Sequence, residues 1–170
     1  RRNLWIGTAG MGLDRIDLLT GEFVHYQHNS GDENSLAGDH VTLLHIGPRG
    51  ELYVETRGGE LEVYEPAVDG FLPALPSLIG YRRSSRTAAI SHDSQGVLWL
   101  SQASGELLSI DPVSDVIIRY DLSSNLPEPE PKIEILAIYA DPQDILWLAT
   151  ENHGLIRFDL QDGIFTVFPE

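Results

Sequence analysis

Leu4-Trp5-Ile6-Gly7-Thr8 decides the reading of this chain, because it returns. It comes back as Leu98-Trp99-Leu100 and as Leu146-Trp147-Leu148-Ala149-Thr150, and with Tyr for Trp as Leu52-Tyr53-Val54-Glu55-Thr56. The leading leucines stand 48, 46 and 48 residues apart, and the match runs without a gap over 23 residues of each copy. Nine residues after each comes Leu13, Leu61, Leu107 or Leu155, and thirteen after comes Asp17, Glu65, Asp111 or Asp159. Nineteen after comes Phe23, Phe71, Ile117 or Phe165, and twenty-two after comes Tyr26, Ala74, Tyr120 or Phe168. A fixed period of this length is the mark of a repeat architecture. The slack in the period falls between copies, where loops belong.

Within each copy the pattern is that of short strands. Alternating runs of Val, Ile, Leu and aromatics are broken by Gly, Pro, Asp and Ser clusters, and no 12-residue window sustains a helical period. The Leu-Trp segment is the first strand, the Leu13–Asp17 type the second and the Phe23–Tyr26 type the third. A fourth strand precedes the next copy at Val41–Ile46, Thr87–Ser91 and Ile133–Tyr139. Tight turns follow at Gly47-Pro48-Arg49-Gly50, Asp93-Ser94-Gln95-Gly96 and Asp141-Pro142-Gln143-Asp144. Four strands in about 47 residues is one blade of a β-propeller, so the fold class is all-β with about four blades. The repeats are 1–50, 51–96, 97–144 and 145–170, within one propeller domain over 1–170.

The 170 residues carry 11 Lys plus Arg against 26 Asp plus Glu, a formal net charge of −15. Such a chain is repelled by a phosphate backbone and by an anionic bilayer, so no nucleic acid is expected as partner. Cysteine is absent, which excludes disulfides and thiolate chemistry. No apolar run approaches 18 residues. The start at Arg1, without Met, reads as a piece cut from a longer protein.

The stretch NLWIGTAGMGLDRIDLLTGEFVHYQHNSGDENSLAGDHVTLLHI (residues 3–46) resembles the two-component regulator propeller repeat. That family is marked by LWIGT, a Gly-rich turn, GL-x-R/Y-x-D, TG-x-F-x-x-Y and SL-x-x-x-V-x-x-I. The resemblance covers the chain: strong over 3–46, good over 97–120 and 145–168, weak over 51–90, where the Trp is lost and a Pro- and Arg-containing insert intervenes. It implies the extracytoplasmic, periplasmic sensor propeller of a membrane-anchored histidine kinase or diguanylate cyclase, working in signal transduction. It implies a ring of seven blades, roughly 330 residues at this blade length. The chain would then be a partial arc: three four-stranded blades and a first blade lacking its innermost strand. Open blade faces bury themselves by association, so a homodimer is expected. A protein-binding scaffold and a propeller lyase are the alternatives.

The family topology places two kinds of loop on one rim. One follows the Leu-Trp strand: Ala9-Gly10-Met11, Arg57-Gly58-Gly59, Ala103-Ser104-Gly105 and Glu151-Asn152-His153. The other joins blades, at 29–40, 73–86 and 121–132. The first set changes chemistry while its flanks stay fixed, as a recognition surface would. Arg82, Arg83 and Arg86 stand out in a chain with few bases and suit a carboxylate or sulfate. The candidate ligand-binding residues are therefore Arg57, Arg82, Arg83, Arg86, Gln102, Glu151, Asn152 and His153. The expected ligand is small and either anionic or a carbohydrate. His40, Arg86 and Glu134 align just ahead of the inner strands.

No cofactor or metal is expected. The six histidines show no metal-ligand spacing: His25 and His28 fall on opposite faces of a strand, His92 and His153 lie in other repeats, and no HExxH is present. Trp5, Trp99 and Trp147 recur as core residues between blades. The Asp17, Glu65, Asp111 and Asp159 set recurs as turn chemistry, whereas catalytic carboxylates would occur once. The chain itself is not expected to be an enzyme.

Overall fold

Fifteen strands and no helix are found among the described residues. The structure is a computed structural model describing residues 3–74, 87–102, 104–122 and 133–168. It divides into two units, Arg1–Arg82 and Arg83–Glu170.

The first unit holds two antiparallel sheets. One is three-stranded, in the order β1 (Asn3–Gly7), β2 (Leu13–Asp17), β3 (Phe23–Tyr26). The other is four-stranded: β4 (Val41–Ile46), β5 (Leu52–Thr56), β6 (Leu61–Glu65), β7 (Gly70–Pro73). The second unit holds two four-stranded sheets. One is β8 (Thr87–His92), β9 (Leu98–Gln102), β10 (Leu107–Asp111), β11 (Val116–Tyr120). The other is β12 (Ile135–Ala140), β13 (Ile145–Thr150), β14 (Leu155–Asp159), β15 (Phe165–Phe168). Three complete blades and one three-stranded blade are what the repeat phase predicts. Each complete sheet takes its first strand from the tail of the preceding sequence repeat.

The fourth-strand expectation at 133–139 shifts: Ile133 and Glu134 precede the strand, which runs on to Ala140. All three first strands carry a bulge at the same place, between Val41 and Leu43, Thr87 and Ala89, and Ile135 and Ala137. A bulge adds one residue and sharpens the twist there. Ser101 exploits it in the second unit. Its Oγ accepts the Ala89 N–H at 3.0 Å and donates to the Ile135 carbonyl at 3.3 Å, tying β8 and β9 to the first strand of the next sheet.

Apolar side chains at alternate positions fill the space between paired sheets. Leu13, Leu36, Leu52, Val54 and Phe71 form the core of the first unit. Trp99, Leu107, Ile135, Leu146, Leu148 and Phe158 are among those of the second. Two of the recurring tryptophans pack between blades as expected: Trp5 lies 4.8 Å from Tyr64 of the neighbouring blade and Trp99 5.8 Å from Phe158, ring centroid to centroid, whereas Trp147 lies 6.1 Å from Phe168 of its own sheet.

The recurring acids cap turns. Asp17 Oδ1 accepts the N–H groups of Leu19 and Thr20, Glu65 accepts that of Ala67, Asp111 that of Val113 and Asp159 that of Gln161. These bonds to the charged form hold the Asp17 and Asp159 carboxyls below the usual carboxylate range. A second, unforeseen device sits in the turns before the tryptophans. Asp93 Oδ1 accepts Gln95 and Val97 N–H while its Oδ2 accepts Trp99 Nε1–H at 3.0 Å. Asp141 does the same for Gln143, Ile145 and Trp147.

Candidate functional site

The loops after the Leu-Trp-type strands β1, β5 and β13 lie beside the connection between blades, which builds a loop-bearing rim in each unit. In the first unit Gly10 and Gly12 both donate to the Asp39 carbonyl, and Arg57 donates its N–H to the His40 carbonyl at 2.9 Å. In the second unit Glu151 donates to the Glu134 carbonyl at 3.0 Å. A Thr closes the turn in two of the four copies. Thr8 Oγ1 donates to the Gly12 carbonyl and accepts Met11 N–H; Thr150 Oγ1 donates to the Gly154 carbonyl and accepts His153 N–H. The backbone of this rim is thus fixed, while the side chains of Arg57, Glu151 and Asn152 point to solvent and His153 is half-buried.

Gln102 differs from the other predicted contacts. It is fully enclosed, with its Oε1 accepting from Ser104 Oγ at 3.4 Å, so it supports the loop from beneath. Arg57 belongs to the first unit; Gln102, Glu151, Asn152 and His153 belong to the second. Arg82, Arg83 and Arg86 lie outside the described residues. His28 falls beyond β3, where its Nδ1 bonds the Leu36 carbonyl at 2.7 Å. Among the described residues no three His, Cys, Asp or Glu side chains converge as a metal site requires.

The sequence gives no hint of a second feature, on the other rim of the second unit. A cleft of about 590 Å³ opens between its two sheets, bounded by the β8–β9, β10–β11, β12–β13 and β14–β15 turns. Trp99, Tyr120 and Phe158 form its aromatic wall, with Ser109, Asp111 and Gly163 around them.

The first unit packs an aromatic cluster at the equivalent positions. Trp5 and Tyr26 of one sheet face Tyr64 and Phe71 of the next. Into this group runs Arg15, whose guanidinium carbon lies 5.6 to 5.8 Å from the Trp5, Tyr26 and Tyr64 rings. Its Nη1 donates to the Tyr64 hydroxyl and, at 2.9 Å, to Asp69 Oδ1. Asp69 also accepts the Tyr26 hydroxyl at 2.7 Å and that of Tyr64. These donors hold the Asp69 carboxyl below its ordinary range, and burial pushes the two phenols up.

No family model and no curated protein matches the chain. Solved structures do. The extracellular domain of a hybrid two-component system from B. thetaiotaomicron is 23% identical with a TM-score of 0.74, over 96% of this chain and 21% of that one. The extracellular domain of a one-component system from the same organism is 19% identical with a TM-score of 0.71, over 98% of this chain and 23% of that one. Streptogramin B lyase is 17% identical with a TM-score of 0.68, over 99% of this chain and 51% of that one. These likenesses show the fold, a β-propeller of four-stranded blades. The chain spans about a fifth of the length of the two extracellular domains.

Proposed function

We propose that this chain is part of the extracytoplasmic sensor propeller of a membrane-anchored signalling protein. We further propose that small ligands are read at the loop-bearing rims, by Arg57 in the first unit and by Glu151, Asn152 and His153 in the second; Arg82, Arg83 and Arg86 remain candidates from the sequence. The observation that carries the reading is the likeness, over 96% of the chain, to the extracellular domain of a two-component system. The two-component propeller resemblance of residues 3–46 points the same way. The rim supports sensing because its backbone is pinned by Thr8, Thr150 and the connecting carbonyls, so side chains there can vary without cost to the scaffold. The acids that recur in every blade are engaged in turns, which leaves the chain a binding module rather than a catalyst. The ligand class is an anion or a carbohydrate.

Two experiments in the natural full-length protein test this. Alkaline phosphatase fused within the propeller should be active, and an inactive fusion with a folded propeller would place the chain in the cytoplasm. A transcriptional reporter of the pathway should lose its response when Glu151 and His153 are both changed to Ala. An unchanged dose response would move recognition away from this rim.

A further inference from the structure

The turn after the Leu-Trp-type strand comes in two forms, and the second repeat mixes their signals. In the first and fourth repeats a threonine stands four residues after the leading leucine and a glycine eight after it: Thr8 with Gly12, Thr150 with Gly154. Each threonine Oγ1 accepts the N–H three residues on and donates to the glycine carbonyl. Both glycines take a left-handed φ, 83° and 65°. In the third repeat Gln102 replaces the threonine, and the left-handed glycine stands one place earlier, at Gly105 with φ 94°. There the Gly105 N–H closes the turn on the Gln102 carbonyl at 2.8 Å, and Glu106 follows with an ordinary φ. The second repeat has the threonine of the first form, Thr56, with the glycine and glutamate of the other, Gly59 and Glu60. The glycine decides. Gly59 has φ 82° and donates to the Thr56 carbonyl at 2.8 Å. Thr56 is left 1% exposed, and its Oγ1 has no hydrogen-bond partner among the described residues.

We propose that the loop from Arg57 to Glu60 has a second, threonine-capped conformation, and that Glu60 holds it in the one observed. In the capped form the Gly59 N–H passes from the Thr56 carbonyl to Thr56 Oγ1, and the hydroxyl donates to the carbonyl of residue 60. That satisfies the buried hydroxyl, which costs free energy while it lacks a partner. The opposing cost falls on residue 60, which must take the left-handed φ that Gly12 and Gly154 take. Glutamate resists this where glycine does not, so residue 60 sets the balance between two penalties of the same order. The Arg57 backbone is anchored in either form. Its N–H holds the His40 carbonyl at 2.9 Å, as that of Glu151 holds the Glu134 carbonyl at 3.0 Å in a capped loop. The exchange therefore moves Gly58, Gly59 and Glu60 past a fixed Arg57 and relocates a carboxylate on the rim of the first unit. The two loop forms exist whether or not Arg57 meets a ligand, so their failure would leave the rim reading standing.

The test makes the same substitution at three equivalent positions of the 170-residue chain and reads it by urea unfolding. Thr8→Val and Thr150→Val each remove a bonded hydroxyl and should lower the folding equilibrium constant at least about threefold. Thr56→Val removes an unpartnered one and should leave the constant unchanged or raise it. In a Glu60→Gly background the loop should take the capped form, so Thr56→Val should there lower the constant at least about threefold. The Gly59 amide resonance should shift in Glu60→Gly, as its acceptor changes, and return towards its parent position when Thr56→Val is added. Should Glu60→Gly fail to fold, Glu60→Asn takes its place, since asparagine also tolerates a left-handed φ. A loss at Thr56 equal to that at Thr8 and Thr150, an effect of Thr56→Val identical in both backgrounds, or a Gly59 resonance indifferent to Thr56→Val in the substituted background would each overturn the proposal.

Discussion

Replacing Glu62 by Gln should stabilise the chain at pH 8 and leave its stability nearly unchanged at pH 4. Glu62 sits in β6, only 6% exposed, and both its oxygens take the single Ala37 N–H at 3.1 Å. Burial is the main reason its carboxyl is pushed up from 4.5 to about 7; the charge of Glu60 adds to the rise, while Ala37 and His28 oppose it. The folded state therefore holds the proton more tightly than the unfolded one. Below pH 4.5 both states are protonated and nothing is lost. As pH rises from 4.5 towards 7 the unfolded chain releases its proton first, and stability falls; above 7 the loss is complete. At about 1.4 kcal/mol for each tenfold change in proton affinity, the gap amounts to about 3 kcal/mol as an upper figure. Glutamine keeps a carbonyl for Ala37 and removes the titration. The assay is urea unfolding of both proteins at half-unit pH steps from 4 to 8. Only the difference between them is read, so the six histidines and other acids cancel. The difference should grow by about 1–3 kcal/mol between pH 4.5 and 7 in favour of the variant. A pH-independent difference, or a variant less stable at pH 8, would refute the burial argument.

Ser101→Ala should cost about 1–3 kcal/mol in the same unfolding assay, because the Ala89 N–H and the Ile135 carbonyl both lose their partner in a fully buried place. Gly12→Ala should cost more than about 2 kcal/mol, since φ is +83° there and the new Cβ would stand 2.0 Å from the Tyr26 carbonyl oxygen. A double-mutant cycle of Asp93→Asn with Trp99→Phe should return a coupling of about 1–2 kcal/mol, read by thermal melts, for the bond from indole to carboxylate. Light scattering over a dilution series should show a dimer, driven by exposed side chains such as Leu4, Phe23, Tyr139 and Phe168; a monomer at every concentration would contradict it.

Strand phase was legible because period-two alternation repeats in register four times, so each copy corrects the reading of the others. Ile133 was misplaced because its apolarity reads as strand, whereas the repeat phase, eleven residues before the leading leucine as at Val41 and Thr87, starts β12 at Ile135. The Asp–Trp pairing left a trace that could have been read, an acid six residues before each of Trp99 and Trp147. The weak second repeat supports that link, since it has Gly47 and Tyr53 where the others have Asp and Trp. The Arg15–Asp69 pair was not legible, because the two stand 54 residues apart and meet across two sheets.

The Asp93–Trp99 bond has a practical meaning for anyone who would cut or transplant a blade. The repeat read along the chain ends at 96 and begins at 97, so a cut at that seam parts the acid from its indole; a cut at 144 parts Asp141 from Trp147 in the same way. The portable module is instead the sheet, opening with the strand that carries this hairpin, as β12 through β15 do. Blades exchanged between propellers along that boundary keep their own indole anchor. Blades exchanged along the sequence repeat must borrow one from the host, and their grafting success should depend on whether the host's preceding turn begins with aspartate.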